Sequence, residues 1–261
     1  MFAVNLLIGL SASNGQSAPM TLSFIEHLEQ QLRQSPPKQK GLRTRQRLKI
    51  ATAKILAREG YHAMRVSDIS ARARLAEGSF YVYFKDKTDA ALTVLSELLE
   101  EFLDLAGRTR SGERTPFDSI RASNRRWIAV CRANAGLMRC ILQLGDEDPR
   151  LAELAQKENR AWYERVAHSS AKRRQSTETG GAALFAAYMV GGMMDELVRK
   201  LIIYPDPGFQ ELLAELDADD DAVADAASVM CLHILHPGAR VPNDLPRAAL
   251  ELADWMLVKR R

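Results

Sequence analysis

Residues able to do bond-making chemistry are few in this 261-residue chain. Three cysteines, Cys131, Cys140 and Cys231, stand nine and ninety-one residues apart with no C-x-x-C pair. That spacing suits neither a disulfide framework nor a zinc knuckle, and it fits a reducing compartment. Cys231, His233 and His236 spell C-x-H-x-x-H, and the two histidines, three apart on a helix, share a face that could meet a metal. Cys231 projects from another face, however, and histidines in a last turn before Pro237-Gly238 already suit the helix dipole. No metal is expected. Five scattered histidines offer no acid–base constellation, and HExxH, GxSxG, P-loop and GxGxxG patterns are all missing. No catalytic residue and no cofactor is therefore assigned, and an enzyme is not expected.

The chemistry that the chain does offer is charge. From Lys38 to Lys87 there are thirteen Lys or Arg against four Asp or Glu, a surplus of nine. Since the whole chain has 36 basic and 33 acidic residues, the remainder holds 23 and 29, a deficit of six. A net charge of +3 thus hides a basic module beside an acidic one. Such asymmetry points to a polyanion partner for the first module, the bland alternative being a solvated charged surface.

These residues need elements to position them, and apolar spacing is helical nearly everywhere, with no period-2 strand and no Asn-Gly hairpin. The expected fold class is all-α. Thr21 to Gln34 reads as a short amphipathic helix ended by Ser35-Pro36-Pro37. Leu42 to Glu59 places Leu48, Ala51, Thr52, Ile55 and Leu56 on one face, with Gly60 as the stop. Ser67 to Ala73 and Glu77 to Tyr83 are two short helices. Lys85-Asp86-Lys87 then enters a longer one, with Leu92, Leu95, Leu99, Phe102 and Leu103 as its buried stripe until Gly107 to Pro116 breaks it. Further helices are expected at Phe117 to Ala133, Gly136 to Leu144, Pro149 to Lys172, Thr177 to Tyr204, Asp219 to Leu235 and Pro246 to Val258. Pro205-Asp206-Pro207-Gly208 and His236-Pro237-Gly238 read as stops.

No stretch approaches the roughly 18 to 20 uninterrupted apolar residues of a spanning helix, so no membrane is expected. Phe2 to Leu10 is a short apolar run like a signal-peptide core, yet the basic region that should precede it is missing. A cytoplasmic protein is expected, with translation beginning at Met1 or Met20.

Three helices within about fifty residues, the last two short and inside the most basic block, describe a helix-turn-helix. The run from Val66 to Lys87, with Gly78-Ser79-Phe80-Tyr81-Val82-Tyr83-Phe84 followed by Lys85-Asp86-Lys87, resembles the DNA-binding domain of the TetR family of bacterial transcriptional regulators. The likeness covers about residues 42 to 95; beyond that, length and helical character agree with the family. It implies DNA contacts at Glu77, Gly78, Ser79, Tyr81, Tyr83 and Lys87, at Arg43, Thr44 and Arg45 where the first helix begins, and at Arg65 before the second. The residues suit those roles. Gly78 permits close approach of a phosphate to a helix N-terminus. Ser79 is small enough to sit against a base edge, and Tyr81 and Tyr83 can donate to phosphate oxygens. Phe80 and Phe84 fill the core. Two positions depart from the pattern: Arg74 stands where the family often has glycine in the turn, and Ala76 where it often has Ser or Thr. A positive φ without glycine and a missing N-cap each cost on the order of 1 kcal/mol.

The resemblance further implies a ligand-responsive regulator, a repressor by default, that binds a palindromic operator in double-stranded DNA and is released by a small-molecule effector. Two-fold operators call for a homodimer. Its candidate interface is Leu184, Phe185, Tyr188, Gly192 and Met193 on one helix with Ala226, Val229, Met230 and His233 on another, small residues allowing close approach. A ligand pocket is sought among Trp127, Cys131, Met138, Ile141, Trp162, Tyr163, Tyr188 and Met189, large apolar groups with polar tips. The expected organisation is an N-terminal extension over 1–37, a helix-turn-helix domain over 38–90, and a larger helical ligand-binding and dimerisation domain over 91–261. The alternative is an all-helical small-molecule binder or enzyme whose basic helices meet another polyanion.

Overall fold

A computed structural model of the chain describes residues 22–102, 115–173 and 180–256. Among these residues every regular element is helical. They are α1 (Phe24–Gln34), α2 (Lys40–Ala63), α3 (Val66–Ala73), α4 (Glu77–Phe80), α5 (Lys87–Glu97), α6 (Pro116–Ala133), α7 (Ala135–Glu147), α8 (Pro149–Arg173), α9 (Gly181–Val198), α10 (Pro207–Glu215), α11 (Asp220–Leu235) and α12 (Arg247–Met256). π-helical turns extend α5 over Leu98–Phe102 and α9 over Arg199–Ile203. The chain divides into two compact units, one holding the described residues 22–102 and 132–156 and the other 115–131 and 157–256.

The first unit is built on the apolar stripe of α2. Leu48, Ala51, Ile55 and Leu56 are buried against Ile69 and Ala73 of α3, Phe80, Phe84, and Ala90, Val94 and Leu95 of α5. Thr52 sits in this core without an unsatisfied hydroxyl, because it donates to the Leu48 carbonyl at 2.9 Å. Gly60 breaks α2 with φ +81°, a region where glycine carries no Cβ penalty. The unit is wider than residues 38–90. Helix α7 packs on α2 at Gly136, where a Cβ would fall well inside contact distance of the Ala57 carbonyl, and the Cys140 thiol donates to the Leu56 carbonyl at 3.4 Å. Helix α1 is fastened to the same platform by Asn134, which accepts from the Phe24 N–H at 2.9 Å and donates to the Leu22 carbonyl at 2.8 Å. Phe24 and Leu28 are buried beneath it.

The second unit centres on α11, whose residues from Ala222 to Leu235 are largely enclosed. Asp219 caps it, accepting from the Ala222 N–H at 2.8 Å. Asp225 on this helix has no solvent exposure and is matched by two guanidinium groups: Arg125 donates to both its oxygens at 2.7 Å, and Arg121 donates through Nε at 2.9 Å. Asn124 donates to Ser228 at 3.0 Å beside them.

Most helix boundaries fall within three residues of the expected ones. The exceptions are α2, which runs on past Gly60 to Ala63, and α10. Pro205-Asp206-Pro207-Gly208 is not only a stop, since Asp206 accepts from the Phe209 N–H at 3.0 Å as an N-cap and Pro207 opens a new helix. Asp148-Pro149 is the same signal. Leu92, Leu95 and Leu99 are buried as their spacing requires; the side chains of Phe102 and Leu103, the break at 107–114, the start of the Thr177 helix and residue 258 lie outside the described residues, as does 1–21. Gly181–Ile203 is long and apolar enough to cross a membrane by length and composition alone, which uninterrupted runs did not reveal.

Candidate nucleic-acid interface

The turn between α3 and α4 is made without the residues that would make it easily. Arg74 caps α3 in the left-handed region at φ 56°, ψ 50°, with its N–H on the Ser70 and Ala71 carbonyls, and the Leu75 N–H reaches the Ser70 carbonyl at 2.9 Å. This is a Schellman-like ending in which an arginine occupies the position glycine prefers. Ala76 then starts α4 in extended geometry with no side-chain cap. Both departures noted in the sequence are thus local features of the backbone.

On this turn the expected contact residues face outward. Glu77 and Gly78 are exposed, and a Cβ on Gly78 would meet no atom within 4 Å, so open approach is what the position offers. Ser79 is half-buried, Tyr81 is 56% exposed and Tyr83 half-buried. Phe80 and Phe84 point the other way and pack against each other in the core, with centroids 5.5 Å apart. The fold also brings the start of α2 to this segment. The Arg45 guanidinium lies over the Phe84 ring at 5.3 Å, and the Tyr83 hydroxyl faces Gly41. Arg43 is exposed, and Thr44 donates to the Lys40 carbonyl at 3.1 Å. Arg65 is exposed at the N-cap of α3.

Lys87 has a second task. Its ammonium donates to the carbonyls of Tyr61, His62 and Met64 at 3.2 to 3.4 Å and sits 4.9 Å over the Tyr61 ring. It therefore satisfies carbonyls at the end of α2 while placing its charge one residue from Arg65. Not all the basic block faces solvent, since Lys49 is buried and pairs with Glu97, while the exposed Arg47 donates to the Ala73 carbonyl. Residue-by-residue reading missed Val82, 75% exposed between the two tyrosines, and the exposed Arg72 and Lys85. Arg33, Arg47, Lys54, Arg72 and Arg74 line a groove of about 350 Å³ between α1, α2 and α3 in which Glu29 is the acid. Only the total charge of the segment hinted at that groove.

The pocket and interface candidates separate. Trp127, Cys131, Trp162 and Tyr163 are buried in the second unit, whereas Met138 and Ile141 belong to the core of the first. Tyr188 stacks on Tyr163 with centroids 3.9 Å apart yet is 43% exposed, and Met189 is 58% exposed on the outer face of α9. Of the interface set, Phe185 and Tyr188 are exposed, and Leu184, Gly192, Met193, Ala226, Met230 and His233 are half-buried. Val229 is fully enclosed in its own unit, because it lies on the inner face of α11. His233 gives one ring nitrogen to the Val229 carbonyl at 2.9 Å, and burial pushes the Cys231 thiol up to about 12. Among the described residues no three His, Cys, Asp or Glu side chains are grouped to hold a metal. Asp195, on α9, was not anticipated: burial pushes its carboxyl up to about 8.

Known proteins share this arrangement. Residues 50–92 match the family described as bacterial regulatory proteins, tetR family. The fatty acid metabolism regulator protein of Bacillus subtilis (strain 168) is 35% identical over 54 residues, a match spanning 21% of this chain and 28% of that protein. Among solved structures, a transcriptional regulator from Rhodococcus sp. Rha1 aligns with a TM-score of 0.59 at 19% identity, over 76% of this chain and 99% of that one. FadR from Bacillus subtilis, solved in complex with stearoyl-CoA, aligns with a TM-score of 0.54 at 18% identity, over 73% and 98%. The family match covers the helix-turn-helix and the adjoining parts of α2 and α5, and the structural likeness carries the helical fold past it. Residues 50–92 therefore match the tetR family of bacterial regulatory proteins, and the helix-turn-helix of α3 and α4 lies inside that match.

Proposed function

We propose that this chain is a cytoplasmic, ligand-responsive transcriptional regulator, a repressor by default, that binds a palindromic operator as a homodimer and leaves it when a small molecule occupies the second unit. The observation that carries this reading is the surface of α4 and its following turn. Gly78, Tyr81 and Val82 are exposed there, with Arg43, Arg45, Arg65 and Lys87 grouped on the helices beside them. Cations and tyrosine hydroxyls that displace counterions and fix register, around a small-residue helix start that can enter a major groove, are the parts of a sequence reader. The dimer is supported by the outer face of α9, where Phe185, Tyr188 and Met189 leave apolar surface in water.

Selection of sites from random duplex DNA tests the reading. The expected result is an enriched palindrome bound about tenfold more weakly by Tyr81→Phe, which loses one hydrogen bond to a charged phosphate. Binding that falls with salt but selects no sequence would favour a helical protein meeting some other polyanion.

A further inference from the structure

The second unit holds a carboxylate that no described residue meets with a hydrogen bond. Asp195 lies one turn before the π-helical end of α9, and both its oxygens are withdrawn from solvent with no hydrogen-bond partner among the described residues. The cations nearest in sequence are occupied, since Arg199 and Lys200 meet Glu196 at 2.6 and 3.7 Å. Asp225, the fully enclosed aspartate of the same unit, shows the contrast: there the fold supplies two arginines. A buried carboxylate without a hydrogen bond among the described residues is costly and calls for a reason outside packing.

Its surroundings are aromatic. The charge of Asp195 is felt at Cys131 and at Tyr163, which places α6, α8 and α9 around one point. Trp127 stands one turn before Cys131 on α6. On α8, Trp162 meets Tyr163 edge-on with centroids 5.2 Å apart, and Tyr163 overlies Tyr188, two turns before Asp195 on α9. The indole N–H groups of Trp127 and Trp162 are also buried without an acceptor among the described residues. A carboxyl group, two indole donors without an acceptor among the described residues and several ring faces are the complement of an organic cation: an ammonium beside the carboxyl draws it into its ionised form, and aromatic faces attract the cation.

We propose that this cluster anchors the effector and that the effector is an organic amine, its ammonium on Asp195, its apolar body against Trp162, Tyr163 and Tyr188, and an acceptor atom meeting an indole N–H. The inference rests on the reading of the second unit as effector-binding. It sets this chain apart from the similar structure that holds stearoyl-CoA, an anionic thioester with no cation to offer a carboxylate.

The test is calorimetric titration of the full chain with 4-phenylbutylamine and benzyltrimethylammonium, against 4-phenylbutanol, 4-phenylbutyrate and stearoyl-CoA. We expect saturable binding of the amines with quenching of tryptophan fluorescence, and at least tenfold weaker binding of the alcohol and the carboxylate. Asp195→Asn should weaken amine binding at least tenfold and leave the alcohol within about twofold, while Asp195→Glu retains the preference for the amine. Failure of both amines to bind better than the alcohol, or amine binding unchanged in Asp195→Asn, would overturn the proposal. Each ligand is then added to the complex with the selected palindrome. If stearoyl-CoA releases the DNA and the amines neither bind nor release it, the amine inference fails and the regulator stands. If the amines bind through Asp195 and leave the DNA complex intact at saturation, the cation site stands and the effector reading fails.

Discussion

Arg74 and Ala76 each leave a single turn without the residue that would make it most easily. Arg74 sits at φ 56°, where a side chain is strained and glycine is not. Arg74→Gly is therefore expected to stabilise the fold by about 1 kcal/mol, read as a higher urea midpoint with an unchanged slope. DNA affinity in the same variant reports separately on whether the guanidinium meets a phosphate. Ala76→Ser restores an N-cap acceptor and should add a further stabilisation of about 1 kcal/mol. Asp195 acts through protons. Unfolded, an aspartate titrates near about 3.9, whereas in the fold burial holds it near about 8. Between those values the native state keeps a proton that the unfolded chain has released, so this group's contribution falls as pH rises through the window and levels off above it. Asp195→Asn should abolish that fall, and the variant's advantage over the parent should grow by on the order of a few kcal/mol between pH 4 and pH 8.5. An advantage that stays constant with pH would mean that the carboxylate is hydrated in the native state.

At the scale of elements, α2 and α7 touch through backbone because Gly136 has no side chain. Gly136→Ala puts a methyl group into the Ala57 carbonyl, and since that obstacle is main chain the helices themselves must part. A loss of 1–3 kcal/mol or more is expected in thermal melts, with weaker DNA binding because α2 carries Arg43 and Arg45. Helices with a single apolar stripe and a breaker at each end, such as α2 with Gly60, were legible in the sequence because packing and backbone signals agreed. Helix α10 was not, since Asp206-Pro207 ends one element and begins the next and no buried face announced what followed. Tyr81 and Lys87 illustrate the limit at the interface. Their types and spacing identified the surface, but the three carbonyls that Lys87 satisfies come from residues more than twenty positions away, a partnership no local pattern encodes. Lys87→Ala should accordingly lower the melting temperature as well as the salt slope, the latter by about 0.9, while Lys87→Arg keeps most of the slope.

For the whole molecule, the surplus of nine positive charges over residues 38–87 and the deficit of six elsewhere give it a sense of direction in a field. A polyanion draws in the basic module and repels the rest, which raises the encounter rate and biases its orientation at low salt. Assembly is the other property of this scale. The outer face of α9 presents Phe185, Tyr188 and Met189. Phe185→Glu is expected to shift sedimentation from dimer to monomer at micromolar concentration, with helical circular dichroism retained. A parent protein that sediments as a monomer would remove the basis for a palindrome. Stacking of Tyr188 on Tyr163 from that same face explains why one residue appeared in both the pocket and the interface sets.

The three cysteines, inert as chemistry, turn the chain into its own stopwatch. All are buried: Cys140 lies in the unit that holds the helix-turn-helix, and Cys131 and Cys231 in the other. A protonated, enclosed thiol reacts with an alkylating reagent only when its surroundings open. The rate at which each cysteine is modified under native conditions therefore times the opening of its own unit, without a label being introduced, and a ligand that slows Cys131 and Cys231 but not Cys140 discloses where it has bound.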